Sequence, residues 1–145
     1  MEYFIYLVPV FAITGLIVMA FKAKWVIKQD AGDKNMQELA SHIKEGALAF
    51  LSAEYRVLIT FVVIAGALLA VVSSFIESTS YFIVIAFAIG AFFSALAGNI
   101  GMRIATEANV RTTQAARTSL PDALKVSFTG GIVMGLGVAG LAVFG

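Results

Sequence analysis

Cysteine is absent from the 145-residue sequence, and histidine occurs only once. Without cysteine the chain can form no disulfide framework, no thiolate metal site and no cysteine nucleophile. His42 has no second histidine or cysteine with which to share a metal ion. We therefore interpret it as an interfacial or solvated side chain rather than as a metal ligand or a pH switch.

Charged residues are also scarce: they make up 13% of the sequence, against 60% hydrophobic residues and a mean hydropathy of +0.93. Soluble domains have about 25% charged residues, so this chain has too few to cover the surface of a soluble globule. The same composition excludes intrinsic disorder, which requires polar and highly charged sequence. The formal net charge of +1 gives no field that would attract nucleic acid. The composition predicts an integral membrane protein in contact with the lipid bilayer.

Four stretches carry no charge: residues 3–21, 57–76, 78–102 and 126–145. About 20 apolar residues span the bilayer core as a helix, and backbone polar groups must be paired there. Taken singly, each stretch has a buried core helix as its alternative. The first is too long and too poor in basic residues at its start for a signal peptide. We predict one all-α domain over residues 1–145, a polytopic bundle of four transmembrane helices plus a cytoplasmic amphipathic helix.

The ten lysine and arginine residues lie in two segments only. Six occur in residues 22–56 and four in residues 103–125, whereas Glu77 alone is charged between the second and third spans. Basic loops remain in the cytoplasm. We therefore predict that both basic segments are cytoplasmic and that the N-terminus and Gly145 lie outside. The absence of a targeting extension favours a prokaryotic plasma membrane.

The first basic segment is longer than a turn and has helical periodicity. Apolar residues recur at helical spacing over residues 36–51, with Glu38, His42 and Glu45 between them. This predicts an amphipathic helix at the membrane surface that runs into the second span. The alternative is a lid over a catalytic funnel, and we favour packing against neighbouring helices. The turn before this helix is marked by Asp30, Gly32, Asp33 and Asn35.

The second basic segment continues the third span without a helix breaker. Arg103, Glu107 and Arg111 follow at four-residue intervals and predict one charged ladder on a helix face. We favour a solvated helix extension. The alternative is a functional one, in which Arg111 and Arg117 lend positive field to the mouth of an anionic substrate site. A new helix start is predicted by Ser119, Pro121 and Asp122.

Small residues recur every fourth position within the last two spans, which predicts close contact between helix backbones. The two rows are Gly90, Ser94 and Gly98, and Gly131, Gly135 and Ala139.

No pattern in the sequence predicts catalytic, cofactor-binding or metal-binding residues. The spans contain no ionisable side chain near the bilayer centre, where cation transporters usually place a carboxylate. Asn99 is the strongest polar candidate, near the cytoplasmic end of its span. Asp30, Asp33 and Asp122 are too scattered to hold Mg²⁺ together. Phosphate-binding loops and nucleophile–base pairs are missing as well.

Five sequence blocks resemble those of membrane-bound, ion-pumping inorganic pyrophosphatases. Residues 98–112, GNIGMRIATEANVRT, resemble that family's G-x-x-G-M-x-I/L-A-T-x-A-N-x-R-T segment. AAR at 115–117, ALKVSF at 123–128, GGIVMGL at 130–136 and IKEGALAFL at 43–51 are similar to further family blocks. The blocks follow in the family's order and spacing over most of the chain.

The resemblance implies a larger protein than this chain. Family members hydrolyse Mg²⁺-bound pyrophosphate in a cytoplasmic funnel, export H⁺ or Na⁺, form homodimers and in some cases need K⁺. The resemblance implies that Mg²⁺ and K⁺ serve the whole enzyme and that the remainder of the pump is a partner of this segment. The implied location is a multi-pass plasma-membrane protein with its N-terminus outside.

The family's pyrophosphate motif, of the D-V-G-A-D-L-V-G-K type, is missing from this sequence. The resemblance therefore implies an N-terminal scaffold portion, inactive alone, onto which no family catalytic residue maps. One alternative is a stand-alone four-helix membrane protein that oligomerises as a small transporter or scaffold. Another is a split pump whose remainder is encoded separately.

Overall fold

A computed structural model describes residues 3–75 and 82–144. These residues form four helices and no strand: α1 (Tyr3–Ile27), α2 (Lys34–Phe75), α3 (Phe82–Ala116) and α4 (Leu120–Ala142). Each helix is long and apolar enough to cross a membrane, which confirms the all-α membrane bundle. The predicted connection around Glu77, and Gly145 at the end of the predicted fourth span, lie outside the described residues.

Two of the helices are much longer than a membrane is thick. At 1.5 Å per residue, α2 is about 63 Å long and α3 about 52 Å, against a bilayer core of about 30 Å. The predicted amphipathic helix is the first part of α2 and runs directly into the second span, as expected. Likewise α3 continues through residues 103–116. Both helices therefore extend beyond the membrane at the end of the bundle that carries the basic residues.

Helix α3 is the centre of the described bundle because it packs against each of the other three helices. Helix α4 packs against α3 and α1, whereas α2 contacts α3 alone among the described helices. The apolar residues of amphipathic α2 face α3, and Met36, Leu39 and Ile43 line a groove with Val110 of α3. This arrangement supports packing against a neighbouring helix over a detached lid.

Large apolar side chains cover the outside of the bundle. Phe11 is 70% exposed, Phe61 61% and Phe128 67%. Exposed apolar surface of this extent is costly in water and suits lipid. Hydroxyl groups on the same surface bond to their own helices: Thr14 Oγ1 donates to the Val10 carbonyl at 2.8 Å.

The closest helix contacts occur at glycines, but not at the predicted rows. A Cβ atom at Gly130 would lie 2.8 Å from Cβ of Ala108, and one at Gly140 would lie 2.7 Å from Cδ2 of Leu16. At Gly131 and Gly135 a Cβ would meet no atom within 4 Å, because those residues lie on the exposed side of α4. The contact row is displaced from the predicted one, since a helix this rich in glycine has small residues on more than one face.

The start of α4 agrees with the sequence. Ser119 is the N-cap, its Oγ accepting from the Asp122 amide at 3.4 Å, and Pro121 lies in the first turn. Asp122 places its negative charge at the positive end of the helix dipole.

Candidate functional site

The basic end of the bundle contains a cluster that we call the charged junction: Lys44, Glu107, Arg111 and the carbonyl group of Ile27. These groups come from the first part of α2, from α3 and from the last residue of α1. The junction therefore joins three helices, two of which do not contact each other directly.

Arg111 is the centre of the junction and is only 9% exposed. Its Nε and Nη2 donate to the Ile27 carbonyl oxygen at 3.2 and 3.0 Å. Its Nη1 donates to Oε2 of Glu107 at 2.6 Å and to the Glu107 carbonyl at 2.8 Å. A guanidinium group at the last carbonyl of α1 pairs an otherwise unpaired acceptor and lies at the negative end of that helix's dipole.

Glu107 connects Arg111 to α2. Its Oε1 accepts a hydrogen bond from Nζ of Lys44 at 2.7 Å. The Lys44 ammonium, and then the Arg111 guanidinium, hold the pKa of Glu107 below its ordinary value, against partial burial, which raises it. Glu107 therefore stays ionised at neutral pH and balances one of its two cationic neighbours.

The predicted ladder of Arg103, Glu107 and Arg111 is formed only in part. Arg111 pairs with Glu107 as expected, but Arg103 Nε donates instead to Oδ1 of Asn99 at 2.7 Å. The second partner of Glu107 comes from α2, because α2 packs along this side of α3. The favoured interpretation of a solvated extension is therefore wrong for Arg111, which is buried.

The loop between α1 and α2 is attached to the end of α3 by two further contacts. Asp30 Oδ2 accepts from Gln114 Nε2 at 2.9 Å, and Asp33 Oδ2 accepts from Arg117 Nη1 at 2.8 Å. Between them Gly32 has a φ of +81°, the left-handed conformation that favours glycine. A Cβ there would also lie 2.7 Å from Sδ of Met36. The loop conformation therefore depends on glycine at this position.

Both loop aspartates use their remaining oxygen within the loop. Asp30 Oδ1 accepts from the Gly32 amide at 2.9 Å, and Asp33 Oδ1 caps α2 by accepting from the Met36 amide at 3.0 Å. The Gly32 amide and then Gln114 lower the pKa of Asp30, and the Met36 amide and then Arg117 lower that of Asp33. These carboxylates stabilise the loop in their ionised form.

An open cavity of about 300 Å³ lies beside the junction, between α1, α3 and α4. Its wall includes Asp30, Asp122, Arg111 and Lys125, so acidic and basic groups are balanced. Nζ of Lys125 lies 5.4 Å from the ring centre of Trp25, within the range of a cation–π interaction. The cavity has no excess positive charge with which to hold a phosphate.

The geometry does not support the role considered for Arg111 and Arg117 as a source of positive field. Arg111 is paired with Glu107 and Arg117 with Asp33, so each positive charge has a negative neighbour. The described residues also contain no group of three or more acidic, histidine or cysteine side chains that could hold a metal ion. What this arrangement can do is fix the positions of three helices and a loop.

Sequence reasoning missed the bond from Arg111 to Ile27, whose residues are 84 positions apart. Every residue has a backbone carbonyl, so no pattern of residue types indicates which carbonyl accepts this bond. The nearest signal is the four-residue spacing of Glu107 and Arg111, which correctly predicted their ion pair.

The family described as Inorganic H+ pyrophosphatase matches residues 13–145. The chain belongs to this family. The contacts of the charged junction and of the loop all lie within the matched residues, and the matched range includes the four blocks of residues 98–136 and the block of residues 43–51. The suspected membership in the ion-pumping pyrophosphatases is thereby confirmed.

Curated relatives include pumps for two different ions. The K(+)-insensitive pyrophosphate-energized proton pump 2 of Moorella thermoacetica is 42% identical over 139 residues, which are 96% of this chain and 20% of that protein. The K(+)-insensitive pyrophosphate-energized proton pump of Methanosarcina mazei is 42% identical over 145 residues, 100% of this chain and 21% of that protein. A putative K(+)-stimulated pyrophosphate-energized sodium pump of Clostridium tetani is 42% identical over 136 residues, 94% and 19% of the two chains.

The chain spans about a fifth of the length of these relatives. It corresponds to an N-terminal part of such pyrophosphatases. Four apolar helices and membership in this family identify it as a multi-pass membrane protein.

Proposed function

We propose that this chain is the N-terminal scaffold of a pump that couples hydrolysis of Mg²⁺-bound pyrophosphate to the export of H⁺ or Na⁺. The observation that carries the proposal is the family match over residues 13–145, together with 42% identity to named proton and sodium pumps. The sequence block of residues 98–112, which first suggested the family, forms the part of α3 that contains Glu107 and Arg111.

The role of a scaffold follows from how the charged groups are used. Both carboxylate oxygens of Glu107, Asp30 and Asp33 accept hydrogen bonds from groups of this chain. These carboxylates hold groups of this chain together, which supports a structural role for them. We assign pyrophosphate, Mg²⁺ and any K⁺ to parts of the pump beyond these residues, and we assign no catalytic residue to this chain.

The orientation that we propose places the N-terminus outside and the charged junction in the cytoplasm. It is supported by the ten basic residues, which all lie in or next to the segments that the junction and the loop hold together. The absence of cysteine makes the test simple. A K28C variant in intact cells should resist an impermeant thiol reagent and an A142C variant should react; the reverse result would refute the orientation.

The exposed row of Gly131, Gly135 and Ala139 is the face of α4 that we assign to contacts with the remaining helices of the pump. At both glycines of the row, a Cβ atom would meet no atom of this chain within 4 Å, so the backbone of another helix can approach closely there. We also propose that the complete pump forms a homodimer.

The reading frame beyond codon 145 and the activity of its product test the proposal together. We expect a continuation that contains a D-V-G-A-D-L-V-G-K type motif, or a separately encoded partner with that motif which co-purifies. Liposomes with the complete assembly should release phosphate from Mg²⁺-pyrophosphate and build an ion gradient, whereas liposomes with residues 1–145 alone should not. Phosphate release by residues 1–145 alone would refute the scaffold role. An isolated frame without a partner would favour a stand-alone membrane protein instead.

A further inference from the structure

An open apolar groove of about 330 Å³ runs between α2 and α3, apart from the charged junction. Its walls include Leu58, Ile59 and Val63 of α2 and Ala88, Ala91 and Phe92 of α3. Three of these residues form its outer rim and are strongly exposed: Ile59 is 63% exposed, Val63 65% and Phe92 63%. The groove therefore opens sideways, in the plane of the membrane.

Two side-chain contacts fix how α2 and α3 are aligned. Lys44 Nζ meets Glu107 Oε1 at 2.7 Å, and the Tyr55 hydroxyl donates to the Ala95 carbonyl at 2.9 Å. Because the helices are antiparallel, each step forward along α2 corresponds to a step back along α3. Both contacts then place Ser52 at the level of Asn99, about one helical turn from the basic end of the groove.

Arg56 and Arg103 lie on the same edge of this helix pair. Arg56 is turned about 90° from the groove-lining side of α2, and Arg103 about 70° from that of α3, in the same rotational sense. When two antiparallel helices face each other, residues rotated in the same sense from the facing sides lie on the same edge of the pair. The rim residues of the groove lie on this edge too.

The two arginine side chains converge on one level. Helical side chains lean toward the N-terminus of their own helix, so Arg56 extends toward the level of Ser52 and Arg103 toward that of Asn99. The bond from Arg103 Nε to Asn99 Oδ1, at 2.7 Å, shows this direction for α3. Since Ser52 and Asn99 are level, the two guanidinium groups reach the same depth just below the groove.

These two positive charges lack a balancing carboxylate. Within residues 3–75 and 82–144, neither Arg56 nor Arg103 is in an ion pair. Glu45, farther along the same edge, is instead 3.8 Å from His42. The two guanidinium groups lie at the depth of the membrane surface, because Arg56 is the last charged residue before the second span and Arg103 is the first charged residue after the third span.

We propose that this edge binds an anionic phospholipid of the cytoplasmic leaflet, with its phosphate between Arg56 and Arg103 and one acyl chain in the apolar groove. A pair of unbalanced guanidinium groups favours a lipid with net negative charge over a zwitterionic one. From Tyr55 to Val63 the groove is about 12 Å long, which is most of the roughly 15 Å depth of one leaflet's hydrocarbon. The proposal depends on membrane insertion and on the proposed orientation, but not on pyrophosphate hydrolysis.

The test uses the complete protein that contains this chain, in nanodiscs with equal phosphatidylglycerol and phosphatidylcholine, and measures retained lipid by native mass spectrometry. Wild type should retain phosphatidylglycerol preferentially. The R56Q/R103Q variant should lower that retention by about thirtyfold, because each of the two basic residues near the surface contributes about 1 kcal/mol. The K22Q/K28Q variant removes the same charge from exposed positions of α1 and the following loop and should behave as wild type. Equal retention by both double variants would overturn the proposal.

A second pair of variants tests the apolar half of the site. A91F fills the groove and should reduce lipid retention, whereas A86F, on the opposite exposed side of α3, should not. Displacement of lipid by millimolar inorganic phosphate, with no effect of A91F, would show a soluble anion site and overturn the proposal. If wild type shows no lipid preference and the I59C variant cross-links to another helix or to a second copy, protein rather than lipid covers the groove, and the proposal is overturned.

Discussion

The two ends of this helix bundle are held together in different ways. At the basic end, Arg111, Glu107 and Lys44 connect α1, α2 and α3 through hydrogen-bonded charges, and Arg111 is buried. In the apolar part, hydroxyl groups bond to their own helices, and α4 approaches α1 closely at Gly140. The alignment of the helices relative to one another is therefore set at the basic end. A charged group has one correct partner there, whereas an apolar contact requires only a matching shape.

The largest expected effect is the loss of Arg111. R111M leaves Glu107 with one cationic partner and leaves the last carbonyl of α1 without a donor. The buried guanidinium makes charge-assisted bonds to Glu107 and to the Ile27 carbonyl, and their loss costs about 2–3 kcal/mol, so the unfolding temperature in mild detergent should fall markedly. R103M is the matched control, because Arg103 is exposed and bonds only to Asn99 among the described residues. Equal effects of the two variants would contradict the role of the junction.

Packing by shape, rather than by charge, is tested by two adjacent glycines of α4. G130A places a methyl group 2.8 Å from Cβ of Ala108 and should destabilise the bundle by about 1–3 kcal/mol through overpacking. G131A meets no atom of this chain within 4 Å and, in residues 1–145 alone, should stabilise the helix by up to about 1 kcal/mol. Unfolding by denaturing detergent measures both variants. The same sign of change at both positions would show that α3 and α4 do not approach as described.

A smaller effect is expected from acid. The pKa of Glu107 is lowered in the folded chain, so its contribution to stability is complete above its ordinary value of 4.5. That contribution is lost as the pH falls from about 4.5 through the lower folded value. The unfolding temperature of wild type should therefore decrease below about pH 4.5, and that of E107Q should decrease less. If the unfolding temperatures of wild type and E107Q fall equally with pH, Glu107 is not the group responsible for the loss of stability in acid.

The smallest effect is expected at the surface of the same end. R117Q breaks the contact with Asp33, in which both side chains are about half exposed. Exposed ion pairs contribute little, so the unfolding temperature should hardly change. A loss as large as that of R111M would mean that the loop, rather than the junction, holds the basic end together.

Sequence reasoning predicted the parts of the fold that depend on local chemistry. The described parts of the uncharged stretches lie almost entirely within the helices, and Ser119, Pro121 and Asp122 form the start of α4 as expected. It failed where the partner is distant or has no distinctive side chain, as in the bond from Arg111 to Ile27. The row of Gly131 and Gly135 faces away from the other described helices, because spacing gives the period of a row but not its direction, and its predicted close contact stays a prediction.

Chain order adds a consequence to the contacts of α1. Within the described residues this helix packs against α3 and α4 but not against α2, so two helices that are consecutive in the chain do not support each other. Newly made α1 therefore finds its first partner in this chain only when α3 is made, and most of its packing forms only when α4 enters the bilayer. A folding factor or a pause in translation at this stage would act on a two-helix intermediate whose helices are inserted but unassembled.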